Sequence, residues 1–175
     1  MHDAKGIYFI SFATINWIDL FVREVYFSIV VDSLNYCIKN KGLALYAYCI
    51  MPSHVHLIFK DNNEEPSKLL QQIKTHTSRE LRKAIASNPR ESRKEWILWM
   101  MKRAGSKTRE GFYQLWQHHY QPIEIWSNSV FEQKLDYIHK NPILAGFVSN
   151  ASDWKYSSAI NYEGEKGEVN VEIYL

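Results

Sequence analysis

Apolar residues recur along the chain at two different spacings, and the changes between them mark out the elements. Ile7 to Ala13 (Ile-Tyr-Phe-Ile-Ser-Phe-Ala) is apolar on both faces of an extended chain, as expected of a strand inside a sheet. From Arg23 to Lys39 the period lengthens. Val25, Ile29 and Tyr36 share one stripe, with Phe27, Val30, Leu34 and Ile38 beside it, which predicts a helix. Asn40-Lys41-Gly42 stops it. Leu43 to Ile50 and His54 to Lys60 return to strand patterning around Met51-Pro52-Ser53. So short a gap predicts an antiparallel hairpin. A second helix runs from Pro66 or Ser67 to about Ala86, with Leu69, Ile73, Leu81 and Ile85 inward, and Asn88-Pro89 breaks it.

Residues 91 to 103 pattern as a shorter helix whose apolar side is Trp96, Ile97, Trp99, Met100 and Met101. Gly105 to Gly111 is a basic connection, and a fourth strand falls near Pro122 to Ile125. Ser127 or Ser129 caps a helix from about Val130 to Asn141, with Pro142 just past its end. Beyond Gly146 the pattern is irregular, with Trp154 and Tyr156 as packing anchors. The order predicts an α+β, ferredoxin-like (split βαβ) fold. Its antiparallel sheet carries helices on one face and the His54/His56 strand near its centre. With 175 residues and neither repeat nor linker, residues 1–175 read as one domain. Within it, 88–111 is a basic insert and 163–175 a loose tail or an edge strand.

Composition adds three points. Aromatic content is 14%, with 6 Trp and 11 Tyr, which suits either a packed core or stacking on bases. The net charge of +2 says little, but residues 88 to 111 hold Arg90, Arg93, Lys94, Lys102, Arg103, Lys107 and Arg109 against Glu91, Glu95 and Glu110. Such a stretch suits a polyanion or a solvated face. Cys37 and Cys49 form no redox or ligand motif and read as reduced cytosolic thiols. No signal peptide and no membrane-length apolar run is present.

The chemistry-bearing residues fall into two groups. Side chains alternate along a strand, so His54 and His56 point one way and Val55, Leu57 and Phe59 the other. Two such imidazoles can hold a divalent cation, or simply occupy a half-exposed face. On the last strong helix, Lys134, Tyr137 and Asn141 stand at i, i+3 and i+7, on one face. Packed over the histidine strand, that face would add the Asn141 oxygen to two nitrogens. A mixed N/O set suits Mg²⁺ or Mn²⁺, with Zn²⁺ still open on ligands alone. Spacing alone equally allows Tyr137 and Asn141 to be a surface residue and a helix end.

Three segments together carry a resemblance. Leu45–Lys60 (with Met-Pro-Ser-His-Val-His-Leu-Ile), Leu115–Tyr120 (Leu-Trp-Gln-His-His-Tyr) and Leu135–Val148 (with Tyr-Ile-His-Lys-Asn-Pro) resemble the single-tyrosine HUH transposases. The likeness is greatest to their REP-associated tyrosine branch, within the IS200-like superfamily. Trp154-Lys-Tyr-Ser-Ser158 resembles that branch's segment after the catalytic helix. The resemblance spans nearly the whole chain in the right order. Ser53 departs from it, standing where Asn is common, and the 88–111 segment matches no family motif.

The resemblance implies the HUH-nuclease version of the ferredoxin-like fold. It assigns the metal to His54, His56 and Asn141, with Mg²⁺ or Mn²⁺ as cofactor, and the nucleophile to Tyr137. It implies a DNA transposase that cuts and rejoins single-stranded DNA at hairpin-forming repeats through a 5′-phosphotyrosine. Lys134 or Lys140 would favour the phenolate. DNA contacts are expected from Lys68, Lys74, Arg79, Arg82, Arg103, Lys107, His118, His119 and Lys134, with Lys60 and Trp116 as contributors. The implied partners are single-stranded or hairpin DNA and, with a slight lean, a second copy of the chain, working in the cytoplasm without a membrane. The rivals are a metal-dependent nuclease using water and a domesticated, non-catalytic hairpin-binding protein.

Overall fold

The Met51-Pro52-Ser53 turn folds β2 (Leu43–Ile50) back onto β3 (His54–Asp61), and the Met51 N–H closes it on the His54 carbonyl at 2.8 Å. In the computed structural model, which describes residues 1, 3–106, 113–118 and 121–174, this hairpin forms half of a four-stranded sheet. β1 (Ile7–Ala13) pairs with β3, and the short β4 (Ile123–Ile125) pairs with the far side of β1. All neighbours are antiparallel and the order is β2-β3-β1-β4. That is the split βαβ arrangement, with β3 and β1 in its two central places.

One sheet face carries Tyr8, Ile10, Phe12, Leu45, Val55, Leu57 and Phe59 into the main core. α1 (Glu24–Asn40) and α2 (Pro66–Ser87) cover that face. α1 buries Tyr26, Phe27, Val30, Val31, Leu34 and Cys37, while Val25 and Tyr36 of the other stripe stay exposed. α2 starts with Pro66 in its first turn and buries Leu69, Ile73, Leu81 and Ile85. The expectation of helices on one face holds for these two and fails for α4 (Asn128–Leu144). α4 lies across the opposite face, where Phe131 and Ile138 pack on Phe9, Ala47, Cys49 and Ile58. The reason is already in β1 and β2: strands apolar on both sides need cover on both.

The Ser127 side chain accepts a hydrogen bond from the Val130 N–H at 3.3 Å and so caps α4. The helix then continues through Pro142 to Leu144, beyond the expected end at Asn141. Proline removes one backbone donor, but near a C-terminus only a single bond is lost. The Ala145 and Phe147 N–H groups still donate to the carbonyls of Asn141 and Pro142 at 3.0 Å. Asn141 is therefore fixed inside the helix, one turn from Tyr137.

Part of the basic 88–111 segment is structural. The Glu91 carboxylate is fully buried and accepts from Arg93 Nε at 2.9 Å, Arg23 Nε at 3.1 Å and the Tyr26 hydroxyl at 3.1 Å. Arg93 also reaches the Asp19 carbonyl (2.7 Å), and Arg23 the Arg90 carbonyl (2.8 Å). This clamp ties the turn before α3 (Lys94–Gly105) to the start of α1. The Arg93 bonds, then those from Arg23, hold the Glu91 carboxyl down at about 2 against the opposing effect of burial. A depressed folded-state value contributes stability above the ordinary carboxyl range and loses it as pH falls toward 2. Glu91→Gln should lower the unfolding free energy at pH 7 by about 2–3 kcal/mol. The gap to wild type should close as denaturant melts are repeated between pH 5 and pH 2.

Past α4, the Trp154 indole donates to the Ile50 carbonyl (3.1 Å), and Tyr156 stacks on Phe27 with ring centroids 3.7 Å apart. Both are anchors, as their patterning predicted. No strand forms over 169–174 among the described residues. That segment is held instead by buried Val169, by the Glu172 N–H on the Leu45 carbonyl (2.8 Å) and by Tyr174 stacked on Phe131. Among the described residues, no helix is long and apolar enough to cross a membrane.

Candidate active site

His54 and His56 share the sheet face that α4 covers. Their cross-strand neighbours are small: Ala13 and Ser11 on β1, and Cys49 on β2 beside His56. Larger residues at those positions would fill the space that the two imidazoles occupy. The rings lie 4.7 Å apart at 81°. The Ser53 hydroxyl is 3.2 Å from His54 Nδ1, which fixes that ring's orientation.

α4 brings Tyr137 and Asn141 over the pair. The Asn141 amide nitrogen donates to His56 Nε2 at 3.2 Å. The Tyr137 ring meets His56 edge-on at 5.3 Å and Phe9 at 5.9 Å. Tyr137 is still 46% exposed, so its hydroxyl is open to a substrate. Lys134 lies over the same Phe9 ring at 5.2 Å, which puts a cation on the tyrosine's side of the helix. Lys140 instead pairs with Asp136 at 2.8 Å on the exposed face.

Burial pushes the His56 imidazole down to about 3, with the neighbouring His54 adding to the effect. Burial also lowers His54, partly offset by a hydrogen bond with Asn141. Both rings are thus neutral at physiological pH and keep lone pairs to offer. His56 Nδ1 is buried without a hydrogen-bond partner among the described residues, a rare situation that calls for a reason. Two neutral imidazoles and one amide oxygen are a donor set that fits a divalent cation with open positions.

Behind the site, His139 anchors α4 to β2. Its Nε2 is 2.9 Å from the Ser158 hydroxyl, which also contacts the Tyr48 carbonyl (3.2 Å) and accepts from the Tyr48 N–H (3.0 Å). With the hydroxyl proton on the Tyr48 carbonyl, His139 donates. Burial holds its imidazole neutral, down to about 4. His139→Ala removes one of three hydrogen bonds at the Ser158 hydroxyl and should cost about 0.5–1.5 kcal/mol of stability, measured by chemical denaturation. It should also loosen Tyr137 relative to the histidines.

The residues expected to touch DNA are not all gathered at this site. Lys107 and His119 lie outside the described residues. Lys68 pairs with Glu65 (2.8 Å) and Arg79 with Glu80 (2.9 Å). Lys74 is half-buried, lies over Phe12 and donates to the Gln117 carbonyl at 3.1 Å. Arg82 stacks on Tyr113, and Arg103 on Trp99. Lys60 is half-buried on β3, and His118 is exposed beside Gln117. Trp116 is no base contact: it is buried against Phe12 and Phe21 and donates to the Thr77 hydroxyl at 3.0 Å. Trp17 escaped notice in its connecting segment, although it is 59% exposed with its ring 5.5 Å from His54. The available signal was a large aromatic in an otherwise polar-ended link.

Residues 10–103, just over half of the chain, match the family model described as "Transposase IS200 like". The match includes both histidines and ends before Tyr137. Over 130 residues the chain is 30% identical to a Haemophilus influenzae protein named "Putative REP-associated tyrosine transposase". That alignment takes in 73% of this chain and 62% of the relative, so the chain spans under two thirds of the relative's length. The fold also matches a solved REP-associated tyrosine transposase bound to a REP hairpin, with a TM-score of 0.65 at 16% identity. The superposition covers 96% of this chain and 86% of that one.

Proposed function

Because the chain belongs to the IS200-like transposase family, we propose that it cuts and rejoins single-stranded DNA at hairpin-forming repeats, with Tyr137 as nucleophile. The observation that carries this reading is the placement of Tyr137 and Asn141, one helical turn apart, over buried His56 and its half-buried neighbour His54. The hairpin in the matched structure supports the same substrate class for this chain.

In this reading His54, His56 and Asn141 hold the cation. A bound Mg²⁺ or Mn²⁺ supplies Lewis acidity that offsets charge on the phosphoryl oxygens. The Tyr137 oxygen bonds to phosphorus and gives up its proton. The bond from phosphorus to the 3′ oxygen breaks, and that oxygen leaves with the electron pair and is protonated to a 3′-OH. The 5′-phosphotyrosine conserves the phosphodiester linkage, so a 3′-OH reverses the step and joins strands without a nucleotide cofactor. Lys134, on the same side as the phenol, compensates negative charge there.

The test is a labelled hairpin oligonucleotide incubated with Mg²⁺ or Mn²⁺ and run on a denaturing gel. A retarded, protease-sensitive band supports the covalent mechanism. Cleavage without any such band would instead mean attack by water.

A further inference from the structure

A groove of about 680 Å³ runs between α3 and the turn at Ile15–Trp17, within the roughly 300–1,000 Å³ of ligand pockets. Its walls mix flat apolar surface, from Trp99 and Met100, with the polar groups of Asn16, Gln114, Arg103 and His118. The Arg103 guanidinium lies over the Trp99 ring at 5.2 Å. Trp17 joins this groove to the site already described: it is the chain neighbour of Asn16, and its ring meets that of His54 edge-on with centroids 5.5 Å apart.

The backbone that presents Trp17 is unusual. Asn16 (φ 51°) and Trp17 (φ 53°) are both left-handed, uncommon for Asn and an outlier for a bulky aromatic. The turn is held there from both sides. The Ile15 N–H donates to the Leu115 carbonyl (2.7 Å), and the Thr14 hydroxyl donates to the Ile18 carbonyl (2.8 Å). The fold thus maintains a strained turn whose outcome is a tryptophan exposed beside the histidines, and such strain clusters where a ligand is handled.

We propose that Trp17 and this groove bind unpaired nucleobases of the strand flanking the cleaved phosphate, with Trp17 as the stacking surface. The proposal rests on the reading of His54, His56 and Tyr137 given above. In a duplex the base faces are already stacked; only an unpaired strand offers them to an indole. The amides of Asn16 and Gln114 and the Arg103 guanidinium are the groups that read base edges. A single strand leaving the histidine site past Trp17 enters the groove directly.

Binding is measured by fluorescence anisotropy with two DNA probes: a bare hairpin, and the same hairpin with an unpaired single-stranded extension on each side. Tyr137→Phe serves as the parent so that no strand is cut. The extension should tighten binding, and adding Trp17→Ala should remove roughly 5- to 150-fold of affinity for the extended probe. The bare hairpin should be unaffected, and Trp17→Phe should keep most of the gain. Trp17 is solvent-exposed and alanine carries the same backbone requirement, so folding is preserved and checked by circular dichroism. No gain from the extension, or equal weakening of both probes by Trp17→Ala, overturns the proposal. The two readings fail separately. Selective loss with Trp17→Ala, in a protein whose wild type forms no covalent adduct, leaves the stacking role and removes the mechanism. An adduct with no selective Trp17 effect does the reverse.

Discussion

Replacing Tyr137 with phenylalanine should abolish the covalent protein–DNA adduct and lower strand cleavage on the order of 10⁴-fold or more. The change removes one oxygen from a side chain that is 46% exposed, so neither stability nor the packing of α4 should change. Ring contacts to His56 and Phe9 remain available to phenylalanine. Hairpin affinity should therefore stay within about twofold, since surface changes of this kind are close to neutral. Denaturing gels give the adduct and the cleavage rate, and anisotropy gives the affinity. Undiminished cleavage by the phenylalanine variant would assign the attack to water and discard the transposase mechanism.

The second large effect concerns the cation. His56 is 2% exposed and held neutral by burial, so in the proposed site it is the ligand with least access to water. In wild type, Mn²⁺ at about a hundred times its dissociation constant should add about 2.7 kcal/mol of stability. His56→Gln roughly keeps the volume and removes the imidazole; His56→Ala also opens a cavity. Both should lose the Mn²⁺-dependent rise in Tm and about 10³-fold of cleavage. Asn141→Ala should weaken both effects without erasing them, because two imidazoles remain. A Tm rise of equal size in the His56 variants would place the cation elsewhere in the molecule.

How much of this was legible beforehand depended on whether the signal was local. β1, β2 and β3 announced themselves because their patterning is continuous over seven or eight residues. Strand and helix periods put His54 with His56 and Tyr137 with Asn141 on shared faces, and the family resemblance singled those faces out as a site. The position of α4 did not follow. Periodicity shows that a helix has an apolar stripe, not which face of a sheet receives it. The basic run misled for a related reason. Arg93 reads as part of a basic face until Glu91 is seen to bind it, and Glu91 also takes Arg23, 68 positions away. Trp116 suggested a base contact by its residue type, but its indole N–H had a buried partner in Thr77. Pro142 seemed to end the helix, although only one donor is lost at its position. Trp17 lay in a link with no period, where side-chain exposure is decided by the backbone turn.

The docking of α4 also makes the site a long-range construction. The histidines are in place once the β2–β3 hairpin pairs with β1, all within the first 61 residues. Asn141 meets His56 across 85 positions, and Ser158, which anchors the helix through His139, meets Tyr48 across 110. A domain folds as a unit, so these distant contacts and the sheet form together. The imidazoles come from one end of the chain and the phenol from the other, and only the complete fold brings them together. In the proposed mechanism, a chain without α4 has no phenol to bond to phosphorus and forms no covalent adduct with DNA.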